Sequence, residues 1–321
     1  MQTIIVTAIG SSSAKVIIEQ LKLLNYRVIG LDIYPKSWHI ESNMVDIFIQ
    51  APKASDFKNY LNTINDAIST YNAKFLLPLT DVEVDVLAPI ASNFKEKGCT
   101  LLALQDNIAE LCRNKYKMME WIKKHSFCES IPCCHLENYK LTPDFFPLII
   151  KPINGRSSQG IMHAKTLEEF LDLYPLIPKN SILQPFISGN IFTVDVARDI
   201  FGNVKTLPRC EWLRTVHGLG TTVQTYINHP LNDICKNIAN NLNFVGVVNI
   251  EFIQKDDKYY FLEVNPRFSG GLAFSLLAGM NFIEMQLNSH TGKSIQNIGS
   301  PKNCILTTCS EAVITQSFPI K

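Results

Sequence analysis

Residues 249–267 read Asn-Ile-Glu-Phe-Ile-Gln-Lys-Asp-Asp-Lys-Tyr-Tyr-Phe-Leu-Glu-Val-Asn-Pro-Arg. Two apolar runs flank a polar centre, a pattern that predicts a β-hairpin. If Asp257 lies at the centre, an odd number of residues separates the facing positions, and four polar side chains share one face of the hairpin. They form two opposed pairs, Glu251 with Glu263 and Asn249 with Asn265.

The opposed carboxylates of this hairpin repel each other unless a cation lies between them. Mg²⁺ prefers oxygen ligands, so Glu251, Glu263 and Asn265 are its predicted ligands, with a solvated strand face as the alternative. Arg267 follows on the same face and can hold a transferring phosphate or a carboxylate. Because removing a carboxylate relieves the repulsion, Glu263→Gln is predicted to leave the ligand-free melting temperature unchanged or higher.

A second stretch, residues 147–161, reads Pro-Leu-Ile-Ile-Lys-Pro-Ile-Asn-Gly-Arg-Ser-Ser-Gln-Gly-Ile. An apolar strand ends at Lys151, and the loop after it is rich in Gly and Ser. Two glycines permit close backbone approach and two serines can wrap phosphate oxygens; these are Gly155, Gly160, Ser157 and Ser158. The pattern predicts an anion-binding loop, and a hairpin turn with a solvated lysine is the alternative.

Composition narrows the class of protein. The 321 residues are 46% hydrophobic, enough for two or three packed domains. A formal charge of +1 gives no general attraction for nucleic acid or an anionic membrane, so small-molecule ligands are expected. No targeting or membrane-spanning segment is visible, and nine scattered cysteines suit a reducing compartment, so the expected location is the cytoplasm.

The first hundred residues alternate short β-branched runs with helical patterns, which predicts a parallel sheet covered by helices. The predicted strands are 3–8, 27–32, 45–50, 75–78 and 100–103, and the predicted helices are 14–24, 54–71, 82–97 and 108–125. Gly10 and Asp32 are spaced as in a dinucleotide site, but Ser11 to Ser13 replace the further glycines that such a site needs. An ordinary strand-to-helix turn, able to hold an anionic substrate group, is preferred.

The motifs together resemble the ATP-grasp superfamily, especially its carbamoyl-phosphate-synthase-like branch of carboxylate-amine ligases. The resemblance covers nearly the whole chain and rests on segments 78–83, 114–115, 151–161, 182–189, 193–196 and 263–271. It implies an α/β (α+β) ATP-grasp fold in three parts. These are a Rossmann-like N-terminal domain (1–110), a small lid carrying the phosphate loop (111–183) and a C-terminal sheet domain (184–321).

The resemblance also implies roles for single residues. The nucleotide phosphates would be held by Lys115, Lys151 and the phosphate loop. The adenine would be held by Gln184, Pro185, Phe186 and Ile187, the ribose by Asp195, and Mg²⁺ or Mn²⁺ by Glu251, Glu263 and Asn265. Arg267 would stabilise the transferred phosphoryl group. Arg209 and Arg214 are candidates for binding the substrate carboxylate, with an ordinary surface pair as the alternative.

By this resemblance the chain is expected to be an ATP- and Mg²⁺-dependent ligase that activates a carboxylate as an acyl phosphate and joins it to an amine. A biotin-dependent reaction is not expected, because Arg267 is followed by Phe-Ser-Gly-Gly-Leu. The alternatives are an ATP-dependent phosphotransferase and a nucleotide-binding protein without catalysis. The acid, the amine and the oligomeric state stay open, with a homodimer as the commonest symmetric assembly.

Overall fold

The computed structural model describes residues 1–139, 142, 145–155, 159–216 and 218–317. Three β-sheets of five, four and seven strands organise this part of the chain. Within the described ranges, no helix is both long and apolar enough to cross a membrane.

The N-terminal sheet is parallel, with strand order β3-β2-β1-β4-β5, as the alternating pattern predicted. Its strands are β1 (Gln2–Val6), β2 (Tyr26–Asp32), β3 (Ile47–Gln50), β4 (Phe75–Leu77) and β5 (Thr100–Leu101). Its helices are α1 (Ala14–Leu23), α2 (Phe57–Tyr71), α3 (Asp81–Leu87) and α4 (Ala91–Glu96). The single helix predicted over 82–97 was wrong, because Pro89 lacks the N–H that a helix interior requires and the chain breaks into two helices there.

The helix predicted over 108–125 is also two helices, α5 (Asp106–Arg113) and α6 (Lys115–His125). Asn114 between them has an extended backbone, and its side chain accepts a hydrogen bond from Lys117 N at 2.9 Å. The asparagine therefore caps the second helix and places Lys115 in its first turn.

Replacing Asn114 with alanine should lower the free energy of unfolding by about 1 kcal/mol, because the amide group at Lys117 loses its acceptor. Urea unfolding followed by circular dichroism measures the change. Asn62→Ala, at an exposed position of α2, is the control and should be neutral or slightly stabilising. Equal unfolding midpoints for Asn114→Ala and the wild type would contradict the capping role.

The second sheet is small and antiparallel, with order β7-β10-β8-β9. Its elements are β7 (Cys134–His135), β8 (Leu148–Pro152), β9 (Met162–Ala164), α7 (Leu167–Leu173) and β10 (Ser181–Pro185). It has a separate apolar cluster around Leu148, Phe170 and Leu183. We refer to this part as the lid sheet.

The third sheet has order β16-β13-β12-β11-β14-β15-β6 and is antiparallel except at β6. Its strands are β6 (Glu129–Ser130), β11 (Asn190–Arg198), β12 (Val204–Arg214), β13 (Gly220–Thr225), β14 (Gly246–Lys255), β15 (Lys258–Asn265) and β16 (Ile305–Thr307). The remaining helices are α8 (Pro230–Leu242), α9 (Leu272–Leu277) and α10 (Phe282–His290).

One apolar cluster joins the N-terminal sheet to the third sheet, for example through Ile4, Val247 and Phe282. This shared core fixes the ends of the parallel strands near the β14–β15 hairpin. The three domain ranges given above stay a prediction. Strand β6, from the segment assigned to the lid, pairs with β15 of the third sheet.

Candidate active site

The β14–β15 hairpin brings the four predicted polar residues into two opposed pairs. Glu251 lies opposite Glu263 and Asn249 opposite Asn265. The centre of the hairpin differs from the predicted one, because Lys255 pairs with Lys258 around a two-residue turn with positive φ at both positions. A β-bulge adds Leu262 to the second strand and restores the register of the polar pairs.

Two buried lysines stand beside Glu263. The Nζ atom of Lys115 lies 3.2 Å from Glu263 Oε2 and donates a hydrogen bond to Gly155 O at 2.6 Å. Lys151 is 8% exposed, and burial lowers the pKa of this lysine to about 8. Burial raises the pKa of Glu263, but Lys115 and Lys151 outweigh burial and hold it well below the usual carboxyl range.

Glu251 has the opposite electrostatic environment. Burial and the neighbouring Glu263 raise the pKa of Glu251, and Arg214, whose Nη2 lies 3.3 Å from Glu251 Oε2, only partly offsets them. The two carboxylates therefore differ in proton affinity although they face each other. A pair of like charges whose pKa values are shifted in opposite directions is typical of a cation site or a catalytic site.

The oxygen atoms here fit a magnesium ion that also binds a nucleotide. Asn265 Nδ2 donates to Asn249 Oδ1 at 2.9 Å and to Glu263 Oε1 at 3.3 Å, which leaves the Asn265 Oδ1 atom as the potential ligand. In the described part of the chain, no group of three His, Cys, Asp or Glu side chains could hold a metal ion by itself. Two carboxylates and an amide suit Mg²⁺, which usually completes its shell with phosphates and water.

Arg267 is held by a backbone carbonyl next to it and by the first residue of α3. Its Nη1 donates to Phe268 O at 2.9 Å, and its Nη2 lies 3.1 Å from Asp81 Oδ2. Asp81, in the first turn of α3, is also 3.8 Å from Arg113, which donates to Asn154 O at 3.1 Å. Arg113 was not among the predicted site residues, and its position at a helix end gave no clear sequence signal.

Two cavities meet at the carboxylate pair. The central cavity, of about 420 Å³, is bordered by Ser11–Ser13, Asp81, Arg209, Asn249, Asn265 and Arg267. The lid cavity, of about 320 Å³, is bordered by Lys115, Lys151, Gly155, Phe186, Ile187 and Gly189. Three further residues line both cavities: Arg214, Glu251 and Glu263.

The predicted phosphate and adenine residues are distributed unevenly around the lid cavity. Gly155, Phe186 and Ile187 line it, and Gly160 adopts φ +71° at the neighbouring turn. Gln184 is buried and, like Pro185, does not appear among the described residues that line this cavity. Ser157 and Ser158 lie outside the described residues.

Asp195 does not fit the ribose role predicted for it. Its side chain is fully buried, accepts a hydrogen bond from Arg209 Nη1 at 2.7 Å and another from Ser275 Oγ at 2.6 Å. Among the described residues, it lines neither cavity. Arg209 of the facing strand β12 and Ser275 of α9 both bind one oxygen of this carboxylate, so the side chain is engaged inside the protein.

Arg209 is likewise not a surface residue, since it is 1% exposed and borders the central cavity. Its neighbour Glu211 was missed by the sequence analysis. Glu211 accepts a hydrogen bond from Thr193 Oγ1 at 2.7 Å, and its Oε2 lies 2.7 Å from Arg214 Nε. Its position two residues after Arg209 on β12 was a usable signal, because alternate residues of a strand share a face.

Replacing Glu251 with glutamine should raise the ligand-free melting temperature at about pH 8 but not at about pH 5. The pKa of Glu251 is raised in the folded protein. Its contribution to stability is therefore full at low pH and is lost as the pH rises through the folded pKa. Because glutamine does not ionise, the variant does not lose this stability as the pH rises. Thermal melts with a metal chelator at both pH values test the prediction, with the exposed Glu110→Gln as control. A difference from wild type that does not change with pH would contradict it.

Comparisons with known proteins show similarity in sequence and in fold. Residues 178–311 match the family model described as ATP-grasp in the biosynthetic pathway with Ter operon. The large chain of carbamoyl phosphate synthase from Agathobacter rectalis is 25% identical over 173 residues, which cover 48% of this chain and 16% of that protein. The chain thus spans about a sixth of that relative's length.

Two solved structures share the fold. The biotin carboxylase domain of Hydrogenobacter thermophilus 2-oxoglutarate carboxylase, determined with MgADP and bicarbonate, has a TM-score of 0.77 and 17% identity over 92% of this chain and 71% of that one. An L-amino acid ligase from Bacillus licheniformis has a TM-score of 0.73 and 16% identity over 94% of this chain and 78% of that one. The family model, this relative and the shared fold support the resemblance of the chain to the ATP-grasp superfamily, in its carbamoyl-phosphate-synthase-like branch.

Proposed function

We propose that this protein is an ATP- and Mg²⁺-dependent ligase that converts a small carboxylate into an acyl phosphate and joins the acyl group to an amine. The main supporting observation is the position of Glu251 and Glu263 where the lid cavity and the central cavity meet. Lys115 and Lys151 line the lid cavity on one side of this junction, and Arg267 lines the central cavity on the other side. The site can therefore neutralise charge on both sides of a transferring phosphoryl group.

The lid cavity is the proposed site of the nucleotide. Lys115 and Lys151 supply the positive charges for the phosphates. The apolar part of the cavity, formed by Ile149, Phe186, Ile191, Ile253 and Leu262, suits a purine base. Gly189 packs so closely on Gln254 O that a Cβ atom there would clash with this carbonyl.

In the proposed reaction, one carboxylate oxygen of the acid attacks the γ-phosphorus of ATP, and the bond to the β-phosphate oxygen breaks to release ADP. The amine then attacks the acyl carbon, loses a proton and expels inorganic phosphate. Glu251, Glu263 and Asn265 would hold Mg²⁺, whose chemistry is to neutralise charge on the phosphate oxygens. Mn²⁺ suits the same oxygen ligands.

The arginines of the central cavity position the acid and stabilise developing charge. Asp81 and Phe268 O orient the planar guanidinium of Arg267 toward the cavity. Arg209 is fixed by Asp195 and borders the same space. Both arginines suit an anionic group whose charge changes during transfer.

A homodimer is a further part of the proposal. Light scattering measures the oligomeric state in solution.

The experiment is to incubate the protein with Mg-ATP and a panel of carboxylic acids, with and without amines. Release of ADP and phosphate that requires both an acid and an amine supports the ligase. A stable phosphorylated product formed without amine would instead indicate a phosphotransferase. Binding of Mg-ATP without turnover for any pair would indicate a nucleotide-binding protein and contradict the proposal.

A further inference from the structure

A third cavity lies at the carboxyl ends of β1, β2 and β3 and is not used by the proposed reaction. We call it the N-terminal cavity; its volume is about 460 Å³. Its apolar wall is formed by Ala8, Leu31, Ile33, Ala51, Ala54 and Val82. The strand ends of an open α/β sheet are a common place for a ligand, and this volume is in the range of small-molecule pockets.

The N-terminal cavity is adjacent to the central cavity. Ser11, Thr80 and Val82 line both of them. Ser11 and Thr80 are small, and both come from loops that end the strands of the N-terminal sheet. A substrate with its reacting group in the central cavity could therefore extend its remaining atoms into the N-terminal cavity.

The acidic groups of the N-terminal cavity are occupied by the protein itself. Asp32 accepts hydrogen bonds from Gly10 N at 2.7 Å and from Tyr34 N at 3.0 Å. Glu83 accepts hydrogen bonds from Tyr60 OH at 2.9 Å and from Thr80 Oγ1 at 2.8 Å. The carboxylates therefore do not call for a cationic ligand, and Lys53, which also lines the cavity, is exposed to solvent.

Two other polar atoms belong to residues that line this cavity and are not paired by hydrogen bonds within the described part of the chain. Ser11 Oγ and His39 Nε2 are buried, and neither has a hydrogen-bond partner among the described residues, although His39 Nε2 lies 3.7 Å from Asp32 Oδ1. The His39 ring packs against Gly10, where a Cβ atom would come within 2.6 Å of the ring. Buried polar atoms of this kind are costly unless they are satisfied, so they favour a ligand with one hydrogen-bonding group.

The geometry points to the N-terminal cavity as the specificity pocket of the enzyme. It takes an uncharged apolar or aromatic side chain of a small substrate whose reacting carboxyl or amino group lies in the central cavity. This inference rests on the proposed function, because it is the central cavity that gives the substrate its orientation. A dinucleotide suits the cavity less well, since Asp32 already accepts two backbone hydrogen bonds.

The test measures binding of glycine, leucine, phenylalanine and tyrosine to the full chain by calorimetry, with Mg-ADP present. Burying a large apolar side chain should strengthen binding at least about tenfold relative to glycine. N-acetylated and amidated forms of the best ligand show whether its carboxyl or its amino group is required. Equal binding of glycine and phenylalanine, or no binding by any of the four, would overturn the inference.

Ile33→Trp should fill the cavity from its partly exposed edge and abolish the preference for large side chains. Ile33→Ala, which removes wall atoms without adding bulk, should weaken phenylalanine binding and provides a second variant. Leu23→Trp, at an exposed position of α1 away from the cavity, is the control. A preference that survives both Ile33 substitutions would overturn the inference.

Mg-ATP binding distinguishes a failure of the specificity pocket from a failure of the proposed function. All three variants should retain the wild-type thermal shift with Mg-ATP, because the lid cavity is unchanged. A wild-type protein that does not bind Mg-ATP contradicts the proposed function, whereas normal Mg-ATP binding without side-chain preference contradicts only the specificity pocket.

Discussion

Replacing Glu263 with glutamine should lower Mg²⁺-dependent turnover on the order of a hundredfold to a thousandfold, because the site loses a metal ligand where charge develops. The thermal shift produced by Mg-ATP should largely disappear as well. Steady-state release of ADP and thermal melts with and without Mg-ATP measure the two effects. A variant with wild-type turnover and the full Mg-ATP shift would contradict the metal assignment.

The same substitution should lower the stability of the ligand-free protein, contrary to the prediction made from the sequence. Glu263 faces Lys115 at 3.2 Å, and its carboxylate also compensates the buried Lys151. Removing this carboxylate takes away the nearby negative charge that compensates both cations, at a cost of roughly 1–3 kcal/mol. Glu129→Gln breaks an exposed ion pair with Lys258 at the same distance of 3.2 Å and serves as the matched control, with little expected change.

Arg267→Lys should lower kcat about a hundredfold and leave the KM for ATP nearly unchanged. Lysine keeps the positive charge but cannot contact Asp81 and Phe268 O together while presenting a planar fork to the phosphoryl group. Among the described lining residues, Arg267 belongs to the central cavity and not to the lid cavity. Nucleotide binding should therefore survive the substitution.

A matched control for Arg267→Lys is Arg198→Lys. Arg198 also donates to a backbone carbonyl, Phe244 O at 3.0 Å, but it lies outside the two cavities as far as the chain is described. Its substitution should leave kcat unchanged. An Arg267→Lys enzyme with wild-type kcat, or with a loss confined to the KM for ATP, would contradict the role of Arg267 in the transferring step.

The sequence predicted the polar pairs of the hairpin because alternation along strands is a local property. It did not predict the bulge at Leu262, since a bulge changes the register without a clear local pattern. The helix breaks did have local signals, Pro89 in one case and the capping residue Asn114 in the other. Those signals were outweighed by the continuous helical pattern around them.

Contacts between distant parts of the chain could not be derived from one sequence. The pairing of Asp195 with Arg209 requires the order and register of β11 and β12. The contact between Lys115 and Glu263 requires the packing of α6 against β15. These contacts changed the expected role of Asp195 and reversed the expected effect of Glu263→Gln on stability.

Transfer of ¹⁸O is the most direct test of the acyl-phosphate route. The acid identified in the substrate panel is labelled with ¹⁸O in both carboxylate oxygens and incubated with Mg-ATP, the amine and the enzyme. One carboxylate oxygen bridges to phosphorus in the acyl phosphate and leaves with it, so each inorganic phosphate should carry one ¹⁸O atom by mass spectrometry. Unlabelled phosphate, formed together with the amide product, would contradict the proposed mechanism.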